Sequence, residues 1–134
     1  YPSKDLGCRV ASSTCRTFSA GQVVMGDDKS QEIVVVFCTA PVGCSDSIAR
    51  AVVDEQLCAC VNILPSVRSV FRWQGKVDVA DEHLMVAKTT LAASGSLQDR
   101  LVALHPYDVP EVIILPVAAG LPTYLSWVAD SVRA

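Results

Sequence analysis

Six cysteines and two histidines are the residues of this chain with the widest chemical reach. A thiolate is both a nucleophile and a soft metal ligand, and an imidazole serves as ligand, acid or base. Cys8, Cys15, Cys38, Cys44, Cys58 and Cys60 include no CxxC pair and no zinc-finger spacing, so neither a structural zinc site nor a thioredoxin-type motif is signalled. The chain is neither small nor loop-rich and its cysteines lie within apolar runs, which points to reduced cytosolic thiols. Cys58 and Cys60, separated by one residue, read as core packing rather than as a chelate. An enzyme using Cys38 as nucleophile and His105 as base would need an orienting third group, an oxyanion motif or a phosphate loop. None is evident, and no enzymatic activity is expected.

The elements that carry these residues follow from local patterning. Cys38 ends the β-branched run Glu32 to Thr39, EIVVVFCT, bounded by Ala40-Pro41 and read as a central strand buried on both faces. It therefore sits at a strand's C-terminal end, where open α/β sheets place ligand sites. Gly43 to Cys58 carries Ile48, Val52, Val53 and Leu57 at helical spacing, with Ser45 or Asp46 as N-cap and Arg50 and Glu55 outside. From Val61 to Thr90, two segments rich in Val, Ile, Phe and Trp flank Gln74-Gly75, a two-residue hairpin turn. Ser96-Leu97-Gln98-Asp99 resembles a capping box opening a helix with Leu97, Leu101 and Leu104 on one face. That helix stops before Pro106, leaving His105 at a loop edge. Val109 to Val117 is a short strand bracketed by prolines. Gly120-Leu121-Pro122 then launches a last helix with Leu121, Tyr124, Leu125 and Val128 on its apolar face. The order β-α-β-β-α-β plus a C-terminal helix is an α+β, ferredoxin-like split βαβ arrangement.

Hairpin length carries a consequence of its own. Arms of about 12 to 14 residues span roughly 40 Å, whereas a domain of this size has a radius of gyration of about 13 Å. The tip must overhang its core. Val67, Ser69, Phe71 and Trp73 share one face of the first arm, and Arg68, Val70 and Arg72 the other. An overhanging strand pair with Val70, Phe71 and Trp73 exposes apolar surface and unpaired backbone, so an obligate oligomer is expected.

With 134 residues, 51% hydrophobic and 19% charged, the chain can fill one core and is too short for two ordinary domains. A net charge of -3 and a pI near 5.2, without a basic run, argue against nucleic acid or an anionic membrane as partner. No apolar stretch approaches the roughly 20 residues of a membrane span. Residues 1–31, rich in Ser, Thr, Gly, Lys and Arg, read as a tail outside the fold, with the domain at 32–134. Up to Met25 this tail has Lys4, Arg9 and Arg16 against Asp5, weakly reminiscent of an organelle transit peptide. Met25, ahead of a charged lead-in and the first strand, is the alternative start. The expected location is cytoplasmic, or an organelle if residues 1–24 are a transit remnant.

Six stretches also occur together in a recognisable order: FCTAP, ACVNILP, FRWQGK, LMVAKT, LHPYDVPEVIILPV and YLSWV. They resemble the CutA divalent-cation tolerance family, over about Glu32 to Val132. The resemblance implies a ferredoxin-like protomer with a long β2-β3 hairpin and an extra C-terminal helix, assembled as a homotrimer through its long strands. This architecture is similar to the PII signalling proteins. It implies tolerance of copper and other divalent ions, with copper, or zinc, held by Cys38 of the CTAP motif and His105 of the HPY motif. Leu104 stands where some members have a further histidine, so two protein ligands would hold a metal weakly unless water or a neighbouring subunit completes the shell. Against ligation stand a buried hydrophobic role for Cys38 and a satisfied structural role for His105. In the family pattern Lys88, Tyr107 and Glu111 line an inter-subunit cleft; a buried, hydrogen-bonded Lys–Glu pair that fixes packing is the alternative. His83, beside Glu82, is expected to be exposed by strand alternation, and Trp73 and Trp127 to pack. Two functions follow from different classes. One is a metal-binding ion-tolerance trimer; the other is a PII-like scaffold or signalling trimer whose clefts take a small molecule or a protein.

Overall fold

β1, Ile33–Pro41, occupies an interior position because its β-branched residues can be covered from both sides of the sheet. In the computed structural model, which describes residues 32–133, it is flanked by β3 and β4. The expected tail at 1–31 lies outside the described residues. The remaining elements are α1 (Ser45–Asp54), β2 (Cys60–Trp73), β3 (Lys76–Thr90), α2 (Leu91–Leu104), β4 (Ile113–Pro116) and α3 (Pro122–Ser131). All pairings are antiparallel and the strand order is β2-β3-β1-β4. The expected split βαβ topology is present.

The hairpin turn is the one its sequence demands. Gln74 and Gly75 have φ of 53° and 79°, the two positive values of a type I′ loop, and Trp73 pairs with Lys76 across it. Further down, Leu64 pairs with Leu84 but Val67 with Glu82, so β2 carries one extra residue at Pro65-Ser66, where Ser66 has φ of 64°. This bulge resets the register of the outer hairpin. Beyond it Val67, Ser69, Phe71 and Trp73 are half-buried while Arg68, Val70 and Arg72 are exposed, the alternation the sequence predicts.

Residues 34, 36, 38 and 40 of β1 face α1 and α2. Val34, Val36, Cys38 and Ala40 pack with Met85, Ala87, Ile48, Val52, Leu97 and Leu101 in the main core. α3 closes part of the other face, where Val128 meets Ile33 and Ala59. The rest of that face is only half-covered: Val35 and Phe37 of β1, Leu84 and Val86 of β3, and the more open Leu64, Ile113 and Leu115.

Several local expectations need correction. α2 begins at Leu91, not at the Ser96 box, because the Thr90 hydroxyl caps it by accepting the Ala93 N–H at 3.2 Å. α1 is capped by Cys44 without a side-chain bond; the Ser45 hydroxyl is instead 2.6 Å from His83 Nδ1. Glu55 does not face outward but is buried in a bidentate pair with Arg100, at 2.8 and 2.9 Å. β4 is shorter than expected, starting beyond Pro110, which has no N–H to give a ladder. Cys44 is disulfide-bonded, so the expectation of reduced thiols holds only for Cys38, Cys58 and Cys60 among the described cysteines. Among the described residues, no helix is long and apolar enough to cross a membrane.

Candidate functional site

The end of β1 brings the two expected ligands to one atom. Pro106 stops α2 at Leu104, and His105, its C-cap, turns extended at φ -79° and ψ 140°. This carries the imidazole over Thr39, the residue after Cys38. Nε2 of His105 lies 2.7 Å from the Thr39 carbonyl oxygen, and the Cys38 thiol, 3.8 Å from the same oxygen, donates to it weakly. The Tyr107 backbone N–H donates to Nδ1 at 3.2 Å. A carbonyl only accepts and a backbone N–H only donates, so the partners fix the ring as the neutral tautomer with its proton on Nε2.

Burial closes the pair off. His105 is 0% and Cys38 1% exposed. Removal from water, reinforced by the nearby carboxyls of Glu111 and Glu82, pushes the Cys38 thiol up to about 12. At neutral pH the free thiol is therefore protonated. Among the described residues no three His, Cys, Asp or Glu side chains converge as a metal cluster. As held in the protomer, Cys38 and His105 do not fit a bound metal.

A second group, centred on a residue the sequence reading passed over, lies beside the first. Glu82 is 1% exposed, yet one carboxylate oxygen accepts the Tyr107 hydroxyl at 2.8 Å and the other accepts the Ser69 hydroxyl at 2.6 Å. The bulge at Pro65-Ser66 makes this possible by setting Val67 opposite Glu82, so that Ser69 reaches it diagonally on the same face. Glu111, on the approach to β4, adds a second carboxyl whose affinity for its proton is raised by burial and then by Glu82. The His105 and Tyr107 rings lie 4.7 Å apart. The two groups are thus one hydrogen-bonded chain from the end of β1, through the HPY loop, to the hairpin.

Of the three expected cleft residues, Tyr107 and Glu111 belong to this cluster and Lys88 does not. Lys88 is six residues further along β3 than Glu82, about 20 Å at the strand rise. It pairs with Val35 and Cys60 and lies close enough to the Cys58 thiol to favour its ionisation. A Lys88–Glu111 packing pair is therefore not formed in the protomer. His83 is half-buried against Ser45 rather than exposed. An open groove of about 780 Å³ runs between α1 and β2, past Val53, Val61 and Ile63, away from every candidate residue. Alternation along β3, which sets Glu82 on the same face as the apolar Leu84 and Val86, was the sequence signal that could have drawn attention to it.

Known proteins share this arrangement of elements. The family model described as CutA1 divalent ion tolerance protein matches residues 34–131. A divalent-cation tolerance protein CutA of Thermus thermophilus is 48% identical over 85 residues, which cover 63% of this chain and 82% of that protein. Protein CutA, chloroplastic, of Arabidopsis thaliana is 38% identical over 119 residues, 88% of this chain and 65% of the relative. The solved structure of the PII-like protein CutA from Nostoc sp. PCC 7120 superposes with a TM-score of 0.70 at 31% identity, covering 73% of this chain and 95% of that one. Because the family match runs from within β1 to the last residue of α3, through every element that frames Glu82 and His105, the chain belongs to the CutA1 divalent ion tolerance family.

Proposed function

We propose that the chain works as a homotrimer in tolerance of divalent metal ions and in the response to them. The observation that carries the assembly is the half-covered sheet face, where Leu64, Ile113 and Leu115 are 44%, 46% and 40% exposed beside Phe37 and Val86. Apolar side chains on a strand face of this extent need a cover. The hairpin supports the same reading, with Val70 66% exposed on one side and Phe71 and Trp73 half-buried on the other. Copper or zinc is bound weakly, because among the described residues no three ligating side chains gather to hold an ion within one protomer. The protein acts in the cytoplasm, with an organelle as the alternative that the chloroplastic name of the Arabidopsis relative favours.

The test is sedimentation of the reduced protein at micromolar concentration beside a calorimetric titration with copper and zinc. A mass of three 14.3 kDa chains and weak saturable uptake are expected. A monomer would sink the assembly, and no uptake at millimolar metal would sink the metal role.

A second reading is a PII-like trimeric scaffold that binds a small molecule or a protein at its inter-subunit clefts. It is favoured by the position of Tyr107, Glu82 and Glu111, whose polar groups gather beside the half-covered face. Its signature is stabilisation of the trimer by a metal-free cell extract fraction of low molecular weight.

A further inference from the structure

We infer that His105 is a positioning residue, which fixes Tyr107 on Glu82 and so ties the HPY loop to the hairpin, and that it is not a metal ligand. Both ring nitrogens are already assigned by their partners. Nε2 carries a proton that it donates to the Thr39 carbonyl, and the only lone pair in the ring plane, on Nδ1, accepts the Tyr107 N–H. Ligation at either nitrogen would break one of these bonds inside a region with no solvent access to repair it.

The Nδ1 bond is the important one. It spans two residues, from the imidazole of position 105 to the backbone of position 107, and so pins the turn through Pro106. With the backbone held at Tyr107, its hydroxyl meets Glu82 on the half-covered face of β3. Glu82 passes the connection to Ser69, on the outer hairpin beyond the bulge. His105 therefore acts on the hairpin through Tyr107. Every buried side-chain N and O among the described residues has a hydrogen-bond partner, so the network is satisfied without an ion. This inference stands apart from the metal role proposed above: the protein can bind zinc elsewhere and leave His105 in place.

The experiment is nitrogen-15 NMR of the histidine side chains in the reduced full chain, before and after addition of zinc alone. His105 is expected to show the Nε2-protonated pattern and to keep both ring shifts with zinc, whatever heat the titration records. Loss of the Nε2 proton, or a zinc-induced shift at either ring nitrogen, would overturn the inference. A second arm compares His105→Gln, whose amide can donate and accept in the same places, with His105→Leu, which can do neither. His105→Leu should speed amide exchange at Tyr107 and Ser69 about tenfold, and His105→Gln should restore wild-type rates. Equal rates in His105→Leu and wild type would also overturn it. If the leucine variant does not fold, the zinc arm on the wild-type chain still decides.

Discussion

The same strands build two unlike surfaces. Toward α1 and α2, Val34, Val36, Cys38, Met85 and Ala87 are at most 4% exposed, sealed by Ile48, Val52, Leu97 and Leu101 from the chain's own helices. Toward the other side, their neighbours Val35, Phe37, Leu84 and Val86 are of the same apolar type but only half-covered, and Ile113 and Leu115 are open. Residue type alone does not distinguish the faces. The difference is which face the chain covers for itself. The buried Tyr107–Glu82–Ser69 chain lies on the half-covered side, so the polar network and the apolar surface awaiting a partner are neighbours.

The largest effect should come from the sealed side. Leu97→Ala removes a fully buried side chain from the middle of α2 and should cost about 3 kcal/mol in urea denaturation, with unchanged sedimentation. If it dissociates the assembly instead, the faces are not independent. On the half-covered side, Ile113→Asp should weaken association by about tenfold or more, roughly 1.4 kcal/mol, while the helical circular dichroism of the protomer is retained. An unchanged dissociation constant would mean that this face is not what the oligomer buries. Trp73→Asp, at the hairpin tip, should weaken association by only about threefold, because the tip adds contacts at the margin of those made by the sheet. Unchanged native mass on dilution would remove Trp73 from the interface.

How much of this was legible depended on how local each determinant is. β1 and the Gln74-Gly75 turn could be read directly, because a β-branched run and two positive φ values are written into adjacent residues. The start of α2 could not. Its first turns, Leu91 to Gly95, bury small residues such as Ala93 and Ser94, so there was no contrast between faces to set the period, and Thr90 was hidden as the end of a strand. The meeting of Cys38 and His105 was accessible through the motifs that hold them, but their state was not, since hydrogen bonds to Thr39 and Tyr107 are properties of the folded backbone. Glu82 was obscured by the bulge, which shifts Ser69 into reach across two strands. Lys88 lies six residues along β3 from the carboxyl that Tyr107 meets, a separation within the protomer that its shared polarity with Tyr107 and Glu111 did not convey.

Cys58 and Cys60 offer the finest version of the contrast, because they sit two positions apart on opposite sides. Cys58 packs in the sealed core, where burial above all, with the nearby Cys60 as a lesser cause, pushes its thiol up to about 12. Cys60 is half-buried, 3.6 Å from the Tyr124 hydroxyl of α3. Iodoacetamide at pH 8 should therefore modify Cys60 ahead of Cys38 and Cys58 in the native protein, with the latter two protected until unfolding, as peptide mass mapping would show. The pH dependence follows with a definite sign. A buried thiol whose folded pKa is raised from 9.0 to about 12 is protonated in both states below 9, so its contribution to stability is fully present there. Between 9 and 12 the unfolded chain ionises while the folded one does not, and stability is lost as pH rises. Cys38→Ala or Cys58→Ala should each flatten this alkaline decline, whatever the substitution costs at pH 7. An alkaline decline left unchanged by both substitutions would mean that the sealed side is not dry at these thiols, and the distinction between the two faces would fail at its most local point.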